Sequence, residues 1–153
     1  MTSSTTPRVA VSDVMHSGVI NTPPQTPVVE VAEQMVRNRV HCVIVEGLAR
    51  DSARQEHLVW GILSDLDLMK AIASGRVDAS AGELAASEIV TVEPTEDIEQ
   101  VARLMAEHEC THLVVTAADG GEPIGVVSSL DVAQGLTLAR RLDMASASAG
   151  AVI

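Results

Sequence analysis

Aromatic side chains are nearly missing from this chain of 153 residues, which has no Phe, no Tyr and a single Trp, Trp60. Stacking on nucleobases is therefore all but closed to it as a mode of recognition. A core must be built from Val, Ile, Leu, Met and Ala, and a hydrophobic content of 46% supplies enough of them. Basic residues are scarce too. The 10 Lys and Arg stand against 21 Asp and Glu, a formal net charge of -11, and their scatter offers no stripe that could neutralise a polyanion. Nucleic acid and membrane surfaces are not expected partners.

Cysteine is limited to Cys42 and Cys110, far apart and outside any Cys-x-x-Cys pair. They read as small buried hydrophobes rather than as a metal or redox couple. No run of about 18 uncharged apolar residues occurs. The start "MTSSTTPRVAV" lacks the charged opening and apolar stretch of a secretory leader. The expected location is cytoplasmic.

What the chain does contain is a duplication. Val14 to Val45 aligns without gaps on Leu84 to Val115 at a constant offset of 70, matching Ser17 with Ser87, Pro24 with Pro94, Val31 with Val101 and Met35 with Met105. The offset then drops to 64, pairing Gly61 with Gly125, Ser64 with Ser128 and Asp67 with Asp131. The first copy therefore carries extra residues within "EGLARDSARQEHL", expected to form a protruding solvated loop.

Each copy predicts the same succession of elements. Val19 to Thr22 and Ile89 to Val92 are short β-rich runs closed by a following Pro. Val28, Val31, Ala32 and Met35, and likewise Ile98, Val101, Ala102 and Met105, have the i, i+3, i+4, i+7 spacing of a half-buried helix. Thr26 and Thr95 are placed as N-caps, with Pro27 in a first turn. The apolar runs "HCVIV" and "HLVV" predict strands buried on both faces, each joined to the next run as an antiparallel hairpin. A second helix follows each hairpin, and "VSDVM" and "AGELA" predict lead-in helical turns. The fold class expected is α+β, two β-α-β-β-α repeats packed sheet to sheet with pseudo-twofold symmetry. The expected boundaries are a flexible N-terminus at 1–8, repeats at 9–76 and 77–140, and a flexible Ala/Ser-rich tail at 141–153.

Ser64-x-x-Asp67 and Ser128-x-x-Asp131 fall where a strand ends and a helix begins. Free backbone N–H groups and the positive end of the helix dipole gather there, and an Asp can accept two hydrogen bonds from a vicinal diol. Gly61 and Gly125, lacking Cβ, let a ligand or another backbone approach the strand. The same spacing is also that of a capping box, in which hydroxyl and carboxylate merely satisfy the orphan N–H groups. A catalytic reading finds little support. Asp65 and Asp67 diverge on their helix, and His16, His41, His57, His108 and His112 show no ligand-like spacing.

Two β-α-β-β-α units, each with hydrophobic-Gly-hydrophobic-hydrophobic-Ser-x-x-Asp after a hairpin, resemble a tandem pair of cystathionine-β-synthase-type (CBS) domains across about residues 11 to 140. The resemblance implies a regulatory module with two clefts that bind adenosine-containing ligands such as AMP, ATP or S-adenosylmethionine. It implies that Asp67 and Asp131 hold the ribose, while Ser64 and Ser128 meet the phosphate. Main-chain groups at Ile20, Thr22, His41 and Val43, and at Val90, Val92, Thr111 and Leu113, would read the adenine. Many family members place Arg or Lys before the Asp, where this chain has Leu66 and Leu130, and Asp65 adds a negative charge to the first motif while Ser129 adds a neutral donor to the second. AMP, or an uncharged or cationic adenosine derivative, is therefore expected over ATP, and the second cleft over the first. The expected partners are that ligand, a second copy of the chain in a homodimer, and a separate effector protein, with no cofactor required. The alternative is a ligand-free dimerisation module, with Leu68, Met69, Val132 and Leu136 extending past the monomer core.

Overall fold

The computed structural model describes residues 8–50, 56–85, 90–118 and 121–151. The chain order is α1 (Val11–Val14), β1 (His16–Ser17), β2 (Asn21–Thr22), α2 (Val28–Asn38), β3 (Cys42–Arg50), β4 (Glu56–Ser64), α3 (Asp65–Ala73), α4 (Ala81–Leu84), β5 (Thr91–Val92), α5 (Ile98–His108), β6 (His112–Thr116), β7 (Pro123–Ser128) and α6 (Ser129–Ala151). Both copies thus realise β-α-β-β-α, preceded by the short lead-in helices α1 and α4. The chain divides into two compact units, Val19–Ile89 and a second that joins the stretch up to Gly18 with Val90–Ile153.

The first unit holds the sheet β2-β3-β4, in which β2 runs parallel and β4 antiparallel to β3. Its core is Val28, Val31 and Met35 from α2, Val43 and Val45 from β3, Leu63, Leu68 and Ala81. The second unit repeats this plan with Val101 and Met105 from α5, Leu113 and Val115 from β6, Val127 and Val11. As the unbroken apolar runs predict, consecutive residues 42–45 and 113–116 are all buried, alternate side chains pointing to opposite sheet faces.

The lead-in segments change places. Instead of joining the first copy, β1 pairs with β7 and extends the second sheet to the order β1-β7-β6-β5. Val11, fully buried, belongs to the second core, and its counterpart Ala81, also fully buried, belongs to the first. Bridges match as well, Ala10 with Asp97 and Ser80 with Pro27. The exchange explains why the helices do not start at the expected caps. Val28 N donates to Ala79 O at 3.0 Å and Ile98 N to Val9 O at 3.1 Å, so the lead-in strand satisfies the orphan amides that Thr26 and Thr95 were expected to cap. The N-caps are Pro27, without a side-chain bond, and Asp97, whose side chain accepts from Glu99 N. Thr26 Oγ1 instead accepts from Thr22 Oγ1 at 2.8 Å.

Two other segments differ from expectation. The extra residues of the first copy lengthen the hairpin rather than forming a loop, since pairing continues from Cys42↔Ser64 to Arg50↔Glu56; the tip at 51–55 lies outside the described residues. The Ala/Ser-rich stretch expected to form a mobile tail continues α6 as far as Ala151. Ala is the best helix former, and the stretch contains no Pro to stop the helix. At the other end, positions 1–7 of the N-terminus expected to be flexible lie outside the described residues. Of the positions expected to extend past the core, Leu68 is buried and Val132 packs against the second core, whereas Met69 and Leu136 are 52% and 68% exposed.

Candidate functional site

Each Ser-x-x-Asp sits on the junction of a hairpin and a helix, and each forms a capping box. In the first unit Ser64 N donates to Asp67 Oδ2 at 2.9 Å, and Asp67 N donates to Ser64 Oγ at 3.3 Å. Ser64 Oγ also donates to Asp67 Oδ2, at 3.0 Å. In the second, Ser128 N donates to Asp131 Oδ2 at 2.8 Å and Asp131 N to Ser128 Oγ at 3.2 Å. The box accounts for one oxygen of each carboxylate. The other oxygen, Oδ1, meets different surroundings in the two copies.

In the first unit Asp67 is half-buried and lines a depression of about 200 Å³ together with Lys70, Ala71, Ser74, Arg76, Glu83 and Leu84. Two basic side chains thus share a hollow with the carboxylate, although the motif has Leu66 where a basic residue was sought. Arg76 Nη2 stands 4.0 Å from Glu83 Oε2 in a solvated pair, an arrangement that holds little energy and leaves the guanidinium exchangeable. In the first turn of α3, Asp65 accepts from Leu66 N through Oδ1 and lies 2.9 Å from His41 Nδ1 through Oδ2. The acidic charge that Asp65 brings to the motif is therefore already engaged by an imidazole.

In the second unit the positions of His41 and Asp65 are taken by Thr111 and Ser129, and Thr111 Oγ1 lies 2.9 Å from His112 Nδ1. Asp131 is only 2% exposed. Its Oδ1 lies 3.5 Å from Nε2 of His16, a residue of the exchanged strand β1 whose ring is 77% exposed. Gly125 explains how β1 comes so near. A Cβ at that position would collide with the His16 carbonyl oxygen and stand 2.8 Å from Met15 Cε. The strand glycine of this copy admits another backbone, one of the two uses its missing Cβ allows.

The structure brings Ser64, Asp67 and His41 together in one unit, and Ser128, Ser129, Asp131 and Thr111 in the other. The remaining positions are sheet residues. Thr22 pairs with Val45 and Val92 with Val115 in parallel ladders, while Val43 and Leu113 pair with Leu63 and Val127. Several main-chain acceptors are already engaged: Ile20 O receives Ile44 N, His41 O receives Asp65 N at 2.7 Å, and Thr111 O receives Ser129 N at 2.9 Å. Val90 packs at the edge of the second core. Sequence reasoning passed over Lys70, Arg76 and His16. The two bases lie outside the motif, and His16 sits 115 positions from its carboxylate in a segment assigned to the other copy.

Burial pushes the Cys42 thiol up to about 12, with the nearby Asp65 charge adding to the effect. Cys110 is also raised, chiefly by burial. Neither is an activated nucleophile. Among the described residues there is no group of three or more His, Cys, Asp or Glu able to hold a metal ion, and no helix long and apolar enough to cross a membrane.

The sequence profile of the CBS domain matches twice, at residues 11–74 and 81–137. The chain belongs to the CBS domain family. Solved structures share its fold. The CBS domain pair of protein MJ0100, in complex with 5-methylthioadenosine and S-adenosyl-L-methionine, superposes with a TM-score of 0.68 at 20% identity, covering 84% of this chain and 95% of that one. The CBS-domain containing protein ATU1752 from Agrobacterium tumefaciens gives 0.66 at 20% identity, covering 82% and 92%. The CBS domain protein PAE2072 from Pyrobaculum aerophilum, complexed with AMP, gives 0.63 at 29% identity, covering 80% and 89%. No curated protein matches the sequence significantly. This chain is a tandem CBS pair in which each copy carries a Ser-x-x-Asp capping box on a helix start.

Proposed function

We propose that this CBS pair is a regulatory module that binds an adenosine-containing ligand, with AMP preferred to ATP. The observation that carries the reading is the hollow at Asp67, where a carboxylate suited to a ribose diol shares about 200 Å³ with Lys70 and Arg76. Support comes also from the AMP complex of a relative with 29% identity. One phosphate suits two basic side chains, one of them already near Glu83; a triphosphate would bring several charges to a protein of net charge -11. Lys70 and Arg76 make the first handle the better phosphate site, the reverse of what Asp65 alone implies. No cofactor and no catalytic step are needed. The ligand acts by binding one state of the module more tightly, and a separate cytoplasmic effector protein reads the change.

Titration calorimetry with adenosine, AMP, ATP and S-adenosylmethionine tests this. AMP binds most tightly, and Lys70→Ala weakens AMP about tenfold while leaving adenosine nearly unchanged, the scale of one charge-assisted hydrogen bond. Well-folded protein that ignores all four ligands contradicts the reading.

A second reading, a homodimerising interaction module, is favoured by the apolar side chains that α3 and α6 expose: Leu66, Met69 and Ile72, and Leu130 and Leu136. Light scattering decides it, a monomer at working concentration removing it.

A further inference from the structure

We propose that His16 is a specificity-determining latch on Asp131, a role that rests on the reading of Asp131 as a ligand handle. The ring holds Oδ1 while the handle is empty, gives way to a ribose diol, and then donates its Nε2–H to a phosphate oxygen of the ligand. A carboxylate that is 2% exposed must be partnered, and the capping box engages only Oδ2. The imidazole covers Oδ1 but at 3.5 Å, beyond the 2.7 to 2.9 Å or so of a strong charge-assisted bond. A close pair of diol hydroxyls is a better partner for that oxygen, so displacement is favourable once such a ligand arrives.

The backbone makes the exchange local. His16 is registered with Val126 and Ser17 with Gly125 in the β1-β7 pair, and Gly18 N donates to Ile124 O at 2.7 Å. The main chain therefore stays in place, and the ring moves by side-chain rotation alone. With 77% of that side chain exposed, little of it is packed among the described residues to oppose the swing. The displaced ring stays within a side chain's reach of the Asp131 carboxylate, where a nucleotide held by its ribose presents its 5′ substituent. The second handle also lacks a basic residue at Leu130, and the counterpart of Lys70 at the offset of 64 is the uncharged Gln134, while that of Arg76 is Arg140, a cation set about 13 Å along the continuous α6 from Asp131. His16 is the imidazole that stands in for Lys70. The equivalent position 70 residues later is Ala86, whose methyl group can neither accept nor donate, so the latch belongs to one copy only.

The experiment uses the full chain carrying Asp67→Asn, so that binding heat reports the second handle, and compares it with versions that also carry His16→Ala or His16→Gln. Adenosine and AMP are titrated into each. The latch predicts that His16→Ala binds adenosine several-fold more tightly, because competition for Oδ1 is gone, while its preference for AMP over adenosine falls about tenfold. His16→Gln, which keeps an N–H donor, retains most of that preference. Binding seen only after His16→Ala, with the parent silent, supports a tighter latch. Affinities for both ligands unchanged by His16→Ala overturn the latch and leave Asp131 as a handle. No binding to any of the three chains, while the unmutated chain binds at Asp67, overturns both the latch and Asp131 as a handle.

Discussion

Replacing Gly125 by Ala tests the exchange of lead-in segments through a single methyl group. The added Cβ meets the carbonyl oxygen of His16 closer than any real contact and lies 2.8 Å from Met15 Cε. The Met15 end can rotate away. The carbonyl cannot, because it belongs to the β1 backbone registered against β7. Overpacking of this kind costs about 1–3 kcal/mol. Removing the extra freedom of a strand glycine returns about 0.5–1 kcal/mol, so a net loss of about 1–2 kcal/mol is expected. Gly47 provides the internal control, since a Cβ built there meets nothing within 4 Å and Gly47→Ala should be neutral or slightly stabilising. Urea unfolding followed by far-ultraviolet circular dichroism reads both. With a slope of about 1–3 kcal/mol per molar, Gly125→Ala lowers the midpoint by roughly 1 M. If Gly125→Ala is as stable as Gly47→Ala, β1 does not lie against β7 and the account of the exchanged segment fails.

Asp131→Ala should cost about 1–3 kcal/mol, because the Ser128 N–H loses its acceptor in a part-buried setting, whereas Asp131→Asn keeps an acceptor oxygen and costs less; equal losses in denaturation would show that the box is not what holds the helix start. At pH 8 a thiol titrating near 12 has about a thousandth of the thiolate of one titrating at 9.0, so a disulfide reagent should label Cys42 far more slowly in the folded chain than after unfolding. The same group links stability to alkaline pH. Between about 9.0 and 12 the unfolded chain has released the Cys42 proton and the folded chain has not, so the unfolded state binds fewer protons and stability falls as pH rises. Cys42→Ala removes that part of the slope, and an unchanged slope would refute the burial argument.

The duplication, the helix periods and the doubly buried strands were all legible, because apolar spacing records which faces a segment hides. The misplaced caps and the hidden His16 share one cause. An alignment of two copies says that segments are equivalent, but not which sheet each one joins. The offset of 70 between Val11 and Ala81 is the same whether each stays at home or crosses over. Hence the expected caps at Thr26 and Thr95 were misplaced, since the amides they were to satisfy are taken by the visiting carbonyls of Ala79 and Val9. His16 was hidden for the same reason, as its carboxylate partner belongs to the other copy in sequence and to the same unit in space. The capping box at each Ser-x-x-Asp was visible in the spacing. The different setting of each Asp was not, because it depends on the hollow shared with Lys70 and Arg76 in one unit and on β1 in the other.

A crystal structure of the full chain grown with AMP tests the central claim most directly. The account predicts nucleotide density with the ribose hydroxyls within hydrogen-bonding distance of the Asp67 carboxylate and the phosphate beside Lys70 or Arg76. Nucleotide bound away from both aspartates, or crystals without nucleotide at saturating AMP, would contradict it.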